Sequence, residues 1–221
     1  MTYEELKMHL GSEVSYSGID IVFKIWESID EGKNISGFFG NFLKGFQNRP
    51  SVRTSNPTKT VSDPLVDSLL KAKIPSFSDF DIDLIRFGHR ASMAAENITG
   101  LILEEYVHDS LIKYGWSCCW GNCIKAVDLC SNKGDLIQLK NKSNTENSSS
   151  NKIRVGTEIK KWYRFNAYNG STCWNELNAM TNTPSLLSEE KFREFAYKLV
   201  KANPDVLYVN TSELNSVSKA F

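Results

Sequence analysis

The most constraining feature of the sequence is a change of hydrophobic period near residue 115. From 89 to 114, the apolar residues Met93, Ile98, Leu101, Ile102, Val107, Leu111 and Ile112 fall on one side of a helix, and Gly115 supplies its stop. Three strand-like runs follow, Trp116 to Trp120, Ile124 to Cys130 and Asp135 to Lys142. Residues 131–134, Ser-Asn-Lys-Gly, are a turn signal between the last two. A polar tract rich in Asn and Ser, 141–151, then reads as a loop. A second helix is expected from about Thr157, with Ile159, Trp162 and Tyr163 on one face. A third is expected over 188–202, followed by a strand over 205–210. Helix, hairpin, loop, helix and late strand predict an α/β fold with a mixed central β-sheet flanked by helices.

Upstream, Ile19, Val22, Phe23, Trp26 and Ile29 give residues 1–31 a helical spacing. Residues 32–62 hold four Gly, two Pro and several Ser, Thr and Asn, so a loop-rich arm is expected there. Asp63-Pro64 predicts a short helix, because Pro is favoured at the first helical position after an Asp cap. The chain has no internal repeat, and residues 1–221 read as a single domain.

Composition narrows the function classes. No apolar run approaches the ~20 residues of a membrane span. The first ten residues carry Glu4, Glu5 and Lys7 and no apolar core, so no secretory signal is expected. The five cysteines are an odd number, and four crowd into 118–130, a poor disulfide framework that points to a reducing cytoplasm. Buried strand positions explain these cysteines better than zinc, since no second CxxC or HxxxH pair follows.

Net charge is zero, yet it is segregated. Residues 32–62 carry Lys33, Lys44, Arg49, Arg53 and Lys59 with no acid. Residues 138–164 carry seven bases against Glu146 and Glu158. A neutral chain arranged this way can still present a positive surface to DNA.

The second and third strands bring a chemical constellation together. Side chains alternate along a strand, so Gln138 and Lys140 share a face while Ile137 and Leu139 point into the other layer. With the turn at 131–134, Asp128 lies across the ladder from residue 137 or 138. Asp128 can hold a hard cation such as Mg²⁺ through oxygen, with the backbone carbonyl of Leu139 as a second ligand. Lys140 then stands where it can position a water or stabilise phosphate charge. Glu158 and Lys160 also spell an acid-x-lysine pattern, with Asp135 upstream. On the helix expected there they lie about 200° apart and cannot share a site.

This order of Asp, turn, acid or amide, any residue and Lys resembles the core of the PD-(D/E)xK nuclease superfamily. The helix 89–114 resembles its first core helix, whose glutamate often joins the metal site. Glu104 is that candidate and Glu105 its competitor. The string QLKNKSNTENSSS at 138–150 resembles a segment of type II restriction endonucleases that cut GGNCC or GGWCC sites. The likeness is clearest over 89–165, the expected catalytic core. Those enzymes usually carry Glu where this chain has Gln138, an amide that supplies no negative charge.

The resemblance implies a Mg²⁺-dependent endonuclease acting on double-stranded DNA in the bacterial cytoplasm. Asp128 would hold the metal, with Glu104 and Gln138 assisting, and Lys140 would position the attacking water. Asn141, Lys142, Asn144, Asn147, Ser148, Ser149, Lys152, Arg154, Lys160 and Arg164 are the expected DNA contacts. Asn pairs with base edges, and Ser, Lys and Arg engage phosphates. A homodimer and a companion DNA methyltransferase are the implied partners. A structure-specific nuclease of the same fold and a catalytically degraded DNA-binding module are the alternative readings.

Overall fold

The computed structural model describes residues 2–29, 34–56, 61–143 and 158–210. In chain order these form helices α1 (Tyr3–Lys7), α2 (Val14–Ser17), α3 (Ile19–Ile29), α4 (Ile35–Gln47), α5 (Pro64–Lys73) and α6 (Asp79–Leu111). Strands β1 (Trp116–Cys118), β2 (Leu129–Ser131), β3 (Leu136–Lys142) and β4 (Ile159–Phe165) follow, then helices α7 (Trp174–Met180) and α8 (Glu189–Ala202). The sheet order is β1-β2-β3-β4. The first two pairings are antiparallel and β3 with β4 is parallel, so the expected mixed α/β sheet is present.

Helices cover both faces of the sheet. Ser117 and Cys118 are neighbours on β1 and point to opposite sides. Ser117 packs so closely on Gly18, just ahead of α3, that a Cβ there would sit 2.1 Å from its hydroxyl oxygen. Cys118 faces the other way and donates its thiol proton to the Glu104 carbonyl of α6 at 3.1 Å. Trp162 of β4 packs on Trp174 of α7, which in turn meets Tyr106 of α6 edge-on. Thus α3 lies on one face, and α6 and α7 on the other.

Five sequence expectations are corrected, the first being the strand expected over 124–130, of which only Leu129 and Cys130 lie in β2. The arm at 32–62 contains a helix, α4, over 35–47. Phe38, Phe42 and Phe46 recur every four residues, stack on one another and are buried. Their burial outweighs the ~1 kcal/mol that each helical Gly costs. The helix expected at 157 is strand β4. Its Trp162 is buried while Lys160 is exposed, and six register pairs hold it to β3. The strand expected over 205–210 is absent, because Pro204–Val206 form a 3-10 turn. The helix expected from 89 begins ten residues earlier, at Asp79. There Ser78 and Asp81 form a reciprocal capping box, which satisfies two end donors.

The N-terminal helices meet the sheet side through bare backbone. Gly121 has φ +68°, and a Cβ on it would lie 1.9 Å from the Asn41 carbonyl oxygen of α4. A Cβ on Gly45 would lie 2.0 Å from the Gly121 nitrogen. This contact seats Trp120 against Phe46, at 6.1 Å between rings, just ahead of the segment leading to Asp128. Gly121→Ala is expected to cost about 3 kcal/mol or more, read as a fall in the midpoint of thermal unfolding.

Candidate active site

Asp128 stands immediately before β2, and its register carries over to Gln138, since Leu129 pairs with Ile137. The Asp128 amide donates to the Ile137 carbonyl at 3.0 Å. In return the Leu139 amide donates to Asp128 Oδ2 at 2.8 Å. The carboxylate is therefore locked onto the backbone of β3. In an extended strand the amide and carbonyl of one residue point to the same edge, so the Leu139 carbonyl faces the side on which Asp128 stands. Gln138 is buried, and Lys140 is half-buried two residues further along the same face.

Glu104 enters from α6. Burial and the nearby Asp128 charge push its carboxyl up to about 8, with Lys140 opposing. Burial also raises Asp128, against the Leu139 hydrogen bond and the Lys140 charge, which favour the ionised form. Both residues keep some surface exposed, yet protein surrounds most of each carboxyl. Glu104, Asp128 and Lys140 therefore form one electrostatic unit.

Glu105, the competing position, points elsewhere. It is buried, accepts a hydrogen bond from the Ser51 amide at 2.9 Å and lies 3.6 Å from Arg49 Nε. One turn further, His108 bridges two layers. Its Nδ1 accepts from the Cys118 amide at 3.2 Å, so its Nε2 carries the proton and donates to the Tyr16 carbonyl at 2.8 Å. Burial holds this imidazole neutral, with its titration pushed down to about 4. Neither His108 nor Cys118 is legible as a support of Glu104 from the sequence. The only available hint is that a histidine stands on the apolar side of the helix, four residues beyond that glutamate.

The expected DNA contacts divide into three groups. Asn144, Asn147, Ser148, Ser149, Lys152 and Arg154 lie outside the described residues. Lys142 and Lys160 stand at the surface, where Lys142 pairs with Glu96 at 2.7 Å and Lys160 with Asp135 at 3.8 Å. Arg164 is corrected from a phosphate contact to an internal clamp. Its side chain is 11% exposed, donates to both oxygens of Glu189 at 2.7 and 2.8 Å, and donates through Nε to Asn141 Oδ1 at 2.8 Å. Glu189 is held further by Trp174 Nε1 at 2.9 Å. Asn141 is thus held by the protein itself.

At the competing pattern of Glu158 and Lys160 the chain is a strand and not a helix, so the two residues fall on one face. Both residues are exposed, Glu158 just before and Lys160 within the strand beyond β3, across it from Asp128. The cysteines are all free. Among the described residues, no three His, Cys, Asp or Glu side chains converge as a metal-binding group. No helix among the described residues is long and apolar enough to cross a membrane.

The model of a family described as SinI restriction endonuclease matches residues 29–202, which include all of this site. The chain belongs to the SinI restriction endonuclease family. Family relatives include the type II restriction enzyme Eco47I of Escherichia coli, 38% identical over 157 residues, or 69% of this chain and 67% of that one. The type II restriction enzyme SinI of Salmonella infantis is 39% identical over 144 residues, 63% of this chain and 62% of its own. The matched stretch thus spans about two thirds of each relative. The family match begins at residue 29, just short of α4 and well beyond the stretch 89–165 on which the sequence resemblance rests.

Proposed function

We propose that this chain is a Mg²⁺-dependent type II restriction endonuclease that cuts both strands of DNA at a short GGNCC- or GGWCC-like palindrome. The observation that carries the reading is the meeting of Glu104, Asp128 and Lys140 beside the Leu139 backbone, within the matched region of the family. The oxygens present suit a hard cation. They are two carboxylates, Glu104 raised by burial and by the Asp128 charge and Asp128 raised by burial, with the Leu139 carbonyl and the Gln138 amide oxygen. Two such carboxylates in a partly desolvated site favour a divalent ion, which relieves their mutual repulsion.

When bound, Mg²⁺ would supply positive charge to the scissile phosphate and lower the pKa of a coordinated water. Asp128 and Glu104 would hold it. Lys140 would orient the attacking water and steady the negative charge growing on the phosphate. Attack in line with the 3′ oxygen would expel that oxygen and leave 5′-phosphate and 3′-hydroxyl ends. Gln138 would orient the carboxylates or a water without adding charge. Lys142 and Lys160 would supply part of the electrostatic attraction to the backbone of DNA. A palindrome cut on both strands calls for two copies related by a twofold axis. A companion methyltransferase would protect the host's own sites.

A plasmid digest with and without Mg²⁺ tests this reading. Discrete bands that require Mg²⁺ are expected, and sequencing their ends gives the site and the cut position. A smear would indicate a structure-guided nuclease, and intact unmethylated plasmid would indicate a binding module. Gln138→Glu is expected to keep or raise cleavage and to lower the Mg²⁺ concentration needed for half-maximal rate by about tenfold. Complete loss of cutting in a folded variant would remove Gln138 from the site.

A further inference from the structure

The start of α6 and the whole of α5 form a helical hairpin that buries Ile82 but leaves several of its apolar residues uncovered. Helix α5 has ten residues and buries none of them. Leu65, Val66 and Leu69 are 61, 52 and 60% exposed, and Leu84, Ile85 and Met93 on α6 are also open. An isolated helix of ten residues is marginal in water, because nucleation costs more than so few bonds return. Contiguous apolar patches of a few hundred Å² on a folded chain usually mark interaction surfaces. Gly88 lies within the same stretch of α6, with open space where its Cβ would be. It costs the helix about 1 kcal/mol relative to Ala and leaves room for another helix to approach.

The charges on the hairpin indicate what covers it. Within the chain, Lys71 pairs with Asp79 and Asp67 with Arg86, so α5 and α6 run antiparallel with opposite charges level with one another. At the tip, α5 ends in Lys71 and Lys73 while α6 begins with Asp79, Asp81 and Asp83. One turn inward on α5 and two on α6 the signs reverse, with Asp67 level with Arg86, and Arg90 follows one turn beyond it. A twofold axis running along the hairpin sets α5 of one copy against α6 of the other at these same levels. Base then meets acid at the tip, and acid meets base further in. The hairpin is therefore complementary to itself.

We infer that the α5–α6 hairpin is the dimerisation surface, and that its occupant is the hairpin of a second copy of this chain, forming a four-helix bundle. The inference rests on the two-copy reading above and gives it a place. It also fits the cutting of two strands. With the axis along the bundle, both α6 helices run from the bundle in the same direction. Each carries its Glu104 toward the same side, about 30 Å beyond residue 84. Two active sites then face one DNA duplex together.

Sedimentation of the full chain at micromolar concentration, alone and with a double-stranded oligonucleotide of the site found by digestion, tests the inference. The expected species has twice the chain mass. Leu65→Glu with Leu69→Glu is expected to give the single-chain mass and raise the dissociation constant at least ~100-fold, with an unchanged circular dichroism spectrum. Leu84→Glu, on the other helix, is expected to act in the same direction, and it decides the matter if the first variant does not fold. On supercoiled plasmid both variants should accumulate nicked circles before linear product. A dimer that survives both changes would overturn this surface and leave the two-copy reading standing. A wild-type chain that is single both alone and on DNA would overturn both, whether another segment or another protein covers the hairpin.

Discussion

Asp128→Ala is expected to lower DNA cleavage by about 10³-fold or more while leaving binding of a double-stranded oligonucleotide nearly intact. Asp128 is the carboxylate fixed to the β3 backbone by the Leu139 amide. Its loss removes a metal ligand and leaves Lys140 without its neighbouring negative charge. Several kcal/mol of transition-state stabilisation depend on that metal, which corresponds to at least three orders of magnitude. The side chain is small and only partly buried, so the fold should tolerate its removal. Gel-based rates and an electrophoretic shift in Ca²⁺ measure the two quantities separately. Equal loss of binding and cutting would move Asp128 out of the chemistry.

Glu104→Gln is expected to stabilise the metal-free protein and to abolish cutting. The Glu104 carboxyl sits near 8 in the fold against about 4.5 in an unfolded chain, raised by burial and by Asp128. Between those values the unfolded chain has released a proton that the folded chain still holds, so stability falls as pH rises. The penalty is absent below about pH 4.5 and complete above about pH 8. At pH 9 without metal, the variant should unfold about 2–4 °C higher than the wild type, corresponding to about 1 kcal/mol after allowance for partial exposure. At pH 4 the two should coincide. Added Mg²⁺ should raise the wild-type midpoint and move the variant far less, and Mg²⁺ affinity of the wild type should climb as pH rises toward 8. A variant that is less stable than wild type at pH 9 without metal would contradict a repulsive pair at Glu104 and Asp128.

Much of the site was legible because it lies on contiguous, strongly patterned chain. The Ser131 to Gly134 turn holds, with Gly134 at φ +99°, and fixes which residues oppose each other. From there, strand alternation alone places Gln138 and Lys140 together and Asp128 across from them. Glu104 and Glu105 could not be separated by period, since the helix buries neighbours on both sides of its apolar face. What separates them is Ser51 and Arg49, more than fifty residues away in sequence. Strand β4 was misread for a similar reason. Ile159, Trp162 and Tyr163 satisfy a helical spacing, and its actual partner, β3, is parallel and reached only through a long connection. In α4 the glycines masked a ladder of phenylalanines whose burial depends on Trp26 and Trp120. At the start of α6, the capping box was present in the sequence, but Phe80, Ile82 and Leu84 alternate with aspartates in a period of two, which hides the helical spacing.

Helix α6 spans 33 residues, which makes it a rod of about 50 Å. Its far half is seated by Tyr106, His108 and Cys118, and its near half carries the open hairpin face. The junction between the halves carries two features that weaken a helix. Thr99 bonds its hydroxyl back to the Ala95 carbonyl at 2.6 Å, and Gly100 follows with empty space beside it. A bend of 10° at this point swings Leu84 by about 4 Å while Glu104 stays in place. The rod has the proportions of a lever with its pivot at Thr99 and Gly100. Its tip can follow a displacement while the carboxylates at its fixed end keep their spacing.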